Sequence, residues 1–209
     1  MPAGQEGCAP AEWEPADDGP PAKRYYVDDV HVSVVSERVQ YLGADGKLIT
    51  ESLKDFTRKA VRKEYASLRE FLTIWNGAGR KQAIVDELAN RGVFLDELAE
   101  EVGREFDPFD LVCYVAFDQP PRTRRERAAS VRKRNVFAKY GAQARQVLEA
   151  LLEKYADASL SSVESLDILK VEPLVGFGTP IEIVNLFGGK PGYLAALSEL
   201  EAALYQEAA

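Results

Sequence analysis

Eight basic residues and a single acid, Glu126, lie between Gln119 and Gly141 in the stretch "QPPRTRRERAASVRKRNVFAKYG". The chain has a net charge of −8, so the +7 gathered here leaves −15 on everything else. Six of the eight are arginines, whose planar fork of N–H donors matches phosphate and carboxylate in pairs of bonds. The chemistry that this composition supports is recognition of an anion rather than bond-breaking. Read as one helix over 122–140 at about 100° per residue, Arg124, Arg125, Arg127, Arg132, Arg134 and Lys139 spread over about half the circumference. Ala129, Val136, Phe137 and Tyr140 take the other side and can dock on the protein. Arg122 and Lys133 complete the candidate surface. A second basic row, Lys54, Arg58 and Arg62, is spaced i, i+4, i+8, with Lys59 and Lys63 beside it and Asp55 and Glu64 against it.

Two readings of the cations compete. They can pair internally with the acidic stretch 96–110, which holds seven acids and one base; such exposed pairs contribute only ~0–1 kcal/mol each and imply no function. Alternatively they face a polyanion, either DNA phosphate or an acidic protein surface. Two basic helices could flank one groove, but sequence alone does not make them neighbours.

Bond-making chemistry finds little support. "FGGKPG" lacks the first glycine and the Ser/Thr of a phosphate-binding loop. "ADGK" offers half of a metal-nuclease pattern, and its Asp45-Gly46 is also what a tight hairpin turn demands. Asp28 and Asp29 could ligate a metal, although acids at the entry to a strand are commonly just solvated. "GFGTP" reads as a turn and helix cap. A single histidine, His31, argues against histidine-rich metal sites. Cys8 and Cys113 make no disulfide framework, which favours reduced thiols and a cytoplasmic setting. No apolar run approaches the ~18 residues that a membrane span requires.

The elements that must position these residues are mainly helical. Residues 1–22, with five prolines and five acids, read as a linker too polar to order itself. Residues 23–53 are the β region: Val30, Val32 and Val34 alternate with polar neighbours, Asp45-Gly46 turns the chain, and a β-hairpin results. Residues 54–209 read as about nine helices. Leu53, Phe56, Ala60, Val61 and Tyr65 share one face. Ser67/Glu70, Thr123/Glu126 and Thr179/Glu182 have capping-box spacing. Asp107-Pro108 opens the apolar segment "FDLVCYVAF" as N-cap and first helical residue, which predicts a central buried helix. Gly92 ends a helix as a C′ glycine. Trp75 and the tyrosines fall at helical spacing and are expected in the core.

The stretch "DPFDLVCYVAFDQPPRTRRERAASVRKRNVFAKYGAQARQVLEALLEKYAD" resembles the C-terminal region of the R (HsdR) subunit of type I restriction endonucleases, the EcoEI/EcoKI-like group. The similarity runs back through "ESLKDFTRKAVRKEYASLREFL" and forward through "FGTPIEIVNLFGGKPGYLAALSELE", covering most of residues 24–205. In that family the R subunit joins a nuclease, two motor lobes and a helical C-terminal domain. It assembles with methyltransferase (M) and specificity (S) subunits and translocates DNA using ATP and Mg2+. The resemblance therefore implies a non-catalytic assembly domain with no cofactor of its own, docking the motor on the methyltransferase core. Nuclease and motor motifs are absent from this sequence, and no catalytic residue carries over. A stand-alone, nonspecific module for double-stranded DNA is the other expectation.

Overall fold

The computed structural model describes residues 23–27, 30–35, 37–158 and 160–206. The expected linker, Cys8 and the Asp28–Asp29 pair lie outside them. The fold is mainly helical with an N-terminal β region, as expected, but that region is larger than a hairpin. Four strands, β1 (Lys23–Val27), β2 (Val30–Val35), β3 (Arg38–Leu42) and β4 (Leu48–Ser52), form an antiparallel meander in sequence order. Val32 pairs with Tyr25 on one side and Tyr41 on the other, which puts the alternating apolar positions on one face. Two strands alone would be marginal; four strands present enough of that face to pack on helices. Val32, Val34 and Val39 are buried, with Tyr25, Val27 and Tyr41 partly so. At the Asp45-Gly46 turn Gly43 N–H donates to Lys47 O over 2.9 Å, and Gly46 has φ 75°.

Ten α-helices follow among the described residues: α1 (Leu53–Glu64), α2 (Leu68–Gly77), α3 (Lys81–Asn90), α4 (Leu95–Val102), α5 (Pro108–Phe117), α6 (Arg124–Lys133), α7 (Ala142–Asp157), α8 (Leu160–Glu164), α9 (Pro180–Asn185) and α10 (Lys190–Tyr205). Short 3-10 turns span Val136–Lys139, Leu166–Lys170 and Leu174–Phe177. As its all-round apolarity predicts, α5 is central: seven of its ten residues are buried. Its Cys113 is a free thiol pushed up to about 12 by burial, and so is unreactive at neutral pH. Around α5 pack Trp75 of α2 and Tyr205 of α10, whose rings lie 5.1 and 4.7 Å from that of Phe109.

Local signals set the helix ends. The Thr123/Glu126 and Thr179/Glu182 boxes are complete, with both reciprocal bonds present. At Ser67 only half forms: its hydroxyl accepts from Glu70 N–H, while Glu70 reaches past it to Ala66 N–H. Asp107 accepts from Phe109 N–H over 3.0 Å and caps α5.

Sheet and helices share one core. The Tyr25 hydroxyl donates to Glu97 of α4, and Lys23 Nζ bonds the same carboxylate over 2.9 Å. Gly92, at φ 84°, lets β1 close on the end of α3: a Cβ there would lie 2.7 Å from Val27 Cγ1. Gly92→Ala must therefore strain a left-handed residue and push the sheet away. The expected cost is about 1–2 kcal/mol, read as a lower urea midpoint; an unchanged midpoint would show that this contact does not seat the sheet.

Candidate functional site

The basic segment does not fold as one helix. Its helix α6 ends at Lys133, Asn135 adopts the left-handed conformation at φ 49°, and a 3-10 turn over Val136–Lys139 leads to α7. This break shifts the phase expected from a continuous helix. Arg127, Ala128 and Val131 point inward, and Ala129 is exposed. The inner face is chosen by α7 and α10, on which α6 packs.

Arg127 is consequently buried, with 4% exposure. Its Nε and Nη2 donate to the two carboxylate oxygens of Asp110 on α5 over 2.6 and 2.7 Å, and Nη1 donates to Leu204 O over 2.7 Å. The guanidinium also lies 4.9 Å from the Phe109 ring and 5.3 Å from that of Tyr205. Burial alone would favour loss of its proton; the hydrogen bonds and charge of Asp110 outweigh this and hold it above its ordinary value. Arg122 N–H adds a bond of 2.9 Å to Asp110. Next to this pair, the Tyr205 hydroxyl donates to Asp107 over 3.2 Å, and burial raises the Asp107 carboxyl. With Asp107, Asp110 and Arg127 all at most 4% exposed, the cluster is a sealed latch between α5, α6 and α10.

Four of the other cations found on the sequence bond main-chain carbonyls at or just past helix ends, where carbonyls lack partners and the macrodipole is negative. Arg58 Nε donates to Val115 O over 2.7 Å and Arg62 Nε to Ala116 O over 2.8 Å, closing the last turn of α5. Arg58 also pairs with Asp118 at 2.8 Å, and Lys54 with Glu101 at 3.0 Å. The i, i+4, i+8 row is thus the seam between α1 and α5. Arg134 donates to Ala203 O and to Gln206 Oε1 at the end of α10. Arg124 spans the carbonyls of Arg104 and Phe106, both at 2.7 Å. The two basic rows sit on different neighbours, α1 on α5 and α6 on α7 and α10.

An outward cationic face is left on α6 and the turns at either end of it. Arg125 pairs with Asp157 at 3.1 Å while remaining 81% exposed. Arg132 bridges Glu149 at 3.2 Å and Glu153. Lys139 meets Glu199 at 2.6 Å, both groups exposed. Arg122 and Lys133 are exposed. The internal partners named here are chiefly acids of α7 and α10; from the 96–110 stretch Asp110 engages this segment through its side chain. Solvent-exposed pairs of this kind contribute ~0–1 kcal/mol, so they can be exchanged for an external anion at small cost.

The remaining motifs resolve as structure. In "ADGK", Asp45 accepts from Lys47 N–H over 3.2 Å and pairs with its Nζ at 3.3 Å, all within the exposed turn. In "FGGKPG" the glycines turn the chain into α10, and a Cβ at Gly192 would lie 1.9 Å from Phe187 O; close approach demands that glycine. Among the described residues no three His, Cys, Asp or Glu side chains group as metal ligands. None of the described helices is long and apolar enough to cross a membrane.

The model of the family "EcoEI R protein C-terminal" matches residues 51–205, about three quarters of the chain. The chain belongs to the EcoEI R protein C-terminal family. The "Type I restriction enzyme EcoAI endonuclease subunit" of Escherichia coli is 51% identical to it over 193 residues, 92% of this chain and 24% of that protein. This member of the family therefore spans about a quarter of the length of that relative. No solved structure matches it. The family match begins at Glu51 and so takes in the helices and the end of β4, whereas β1–β3 lie before it.

Sequence reasoning located the basic segment and offered pairing with the acids of 96–110, but did not single out Asp110 and Arg127. A signal was available: Asp110 is the one charge inside the apolar run "FDLVCYVAF", and a buried charge requires a partner.

Proposed function

We propose that this chain is the assembly domain of a type I restriction enzyme R subunit, docking the ATP-driven translocase and nuclease onto the methyltransferase and specificity subunits in the cytoplasm. The observation that carries this reading is the family match over 51–205, to a C-terminal region of R protein. The chain itself is assigned no catalytic step. ATP and Mg2+ are assigned to the rest of the R subunit, and no residue here is given a role in their chemistry. The exposed cations Arg122, Arg125, Arg132, Lys133 and Lys139 supply the contact surface, toward an acidic face of the methyltransferase or toward double-stranded DNA. Arg127, Arg124 and Arg134 anchor that surface to its neighbours, while Lys54, Arg58 and Arg62 belong to the separate seam between α1 and α5.

A stand-alone DNA-binding module is the competing reading, and the same exposed guanidiniums favour it. Salt dependence separates the two. A chain that neutralises ~4 phosphates loses log K against log salt with a slope near −3.6, measured by fluorescence anisotropy with nonspecific duplex. Docking predicts instead that the chain is retained by co-expressed M and S subunits with negligible duplex affinity at low salt. The triple variant Arg125→Gln, Arg132→Gln, Lys133→Gln is expected to abolish whichever binding exists and to change the unfolding free energy by less than about 1 kcal/mol. Retention of full binding by this variant sinks the role of the cationic face.

A further inference from the structure

Lys81 opens α3 and is 5% exposed, yet among the described residues no carboxylate bonds its ammonium. That group carries three N–H donors, and a single one is placed, on Ala78 O over 2.8 Å. Glu201 and Glu164 act on it as charges alone, and burial lowers its basicity. Glu164 is engaged elsewhere, accepting from the main-chain N–H of Lys81 over 2.7 Å. A buried charge with donors to spare is costly, and here the donors have somewhere to go. Lys81 lines an open cavity of about 580 Å³ between the end of α2, the start of α3, the 136–139 turn and α10.

The rest of the lining suits an anion with carbon attached. Lys139 and Glu199, both in the wall, pair at 2.6 Å and cancel. Lys81 therefore leaves the lining with a surplus of one positive charge, in a chain of −8. Asn76, Ser198 and Gln206 add polar side chains, and Val136, Ala202 and Ala203 an apolar stretch. The volume falls within the range of about 300–1,000 Å³ usual for small-molecule sites. Water serves the donors of Lys81 but gains nothing from the apolar stretch. A dianionic phosphate matches less well than a carboxylate, because its second charge meets Glu199 and the field of Glu201.

We propose that this cavity binds a carboxylate carried on a short carbon chain, its oxygens accepting from the free donors of the Lys81 ammonium and its carbons lying on Val136, Ala202 and Ala203. The site does not depend on the docking reading, and the whole chain by itself tests it. In NMR titrations of the backbone amides at neutral pH and fixed ionic strength, butyrate is expected to give saturable shifts centred on Asn76, Lys81 and Ser198. Butyramide has the same shape without the charge and is expected to bind at least ~10-fold more weakly, the worth of a hydrogen bond to a charged group. Lys81→Met is expected to lose the shifts. Ser198 is exposed, so Ser198→Asp and its uncharged counterpart Ser198→Asn are expected to melt alike; the aspartate loses butyrate and the asparagine keeps it. Equal affinity for butyrate and butyramide overturns the proposal, as does butyrate bound undiminished by Ser198→Asp, or no saturable shift in the parent chain. An acidic side chain of a docked subunit offers the same chemistry. A Lys81→Met chain that loses butyrate but still retains M and S subunits assigns the site to a free molecule; loss of both assigns it to the docked side chain.

Discussion

Replacing Arg127 by alanine is expected to lower the unfolding free energy by about 3–5 kcal/mol, the usual consequence of leaving one member of a buried ion pair alone. Asp110, 2% exposed, would retain only the Arg122 N–H bond among those it now accepts. Leu204 O would lose its donor near the end of α10. Asp110→Ala is expected to fall in the same range, and the double variant to cost clearly less than the sum, because each single change strands the other's partner. Urea unfolding of the three variants measures this coupling. Additive losses would show that the two groups act independently. The contrast with Arg125 and Arg132 is the decisive one: arginines of one helix differ severalfold in cost because one is sealed and the others are solvated. A variant set meant to probe the outward surface must therefore spare Arg127 and Arg124.

Glu201→Gln is expected to stabilise the protein above neutral pH by about 3 kcal/mol while leaving it nearly unchanged near pH 4. Glu201 lies on α10 with 6% exposure. Burial, assisted by the charge of Glu164 and opposed by Lys81, pushes its carboxyl from the ordinary 4.5 up to about 7. The Lys81 ammonium is itself buried and lowered; it donates to Ala78 O over 2.8 Å. Glu164 is committed to capping α3 through Lys81 N–H at 2.7 Å. With the folded value above the unfolded one, the folded state binds the proton more tightly. Stability is then greatest below about pH 4.5, declines as pH rises toward 7 and is flat beyond, by about 1.4 kcal/mol for each unit of difference. Glutamine keeps the size and removes the ionisation, so its advantage grows across that window. Chemical denaturation at several pH values between 4 and 8 checks it; parallel curves for parent and variant would mean that Glu201 titrates normally.

Much of the fold was legible because it depends on contacts within one helical turn or one strand pair. Thr123 with Glu126 and Thr179 with Glu182 cap their helices as their spacing requires. Asp107-Pro108 starts α5, and the alternation of Val32 and Val34 sets the buried face of the sheet. The sheet's four strands were less legible than its presence: pairing of β1 with β2 depends on the helical face that covers them, through Tyr25 and Glu97.

The candidate site divides along the same line. Composition and spacing determined that the molecule is an acidic, mainly helical protein with half of its cations gathered in two segments. The family resemblance, a property of residue order rather than of any contact, was also legible. Which cations face outward was decided only by tertiary structure. Arg127 meets Asp110 across 17 positions, Arg58 meets Val115 across 57, and Glu164 caps α3 from 83 residues away. A guanidinium is equally suited to a carboxylate, a helix carbonyl or a solvent-facing anion; its neighbour is chosen by how the helices pack, and periodicity within one segment carries no information about that.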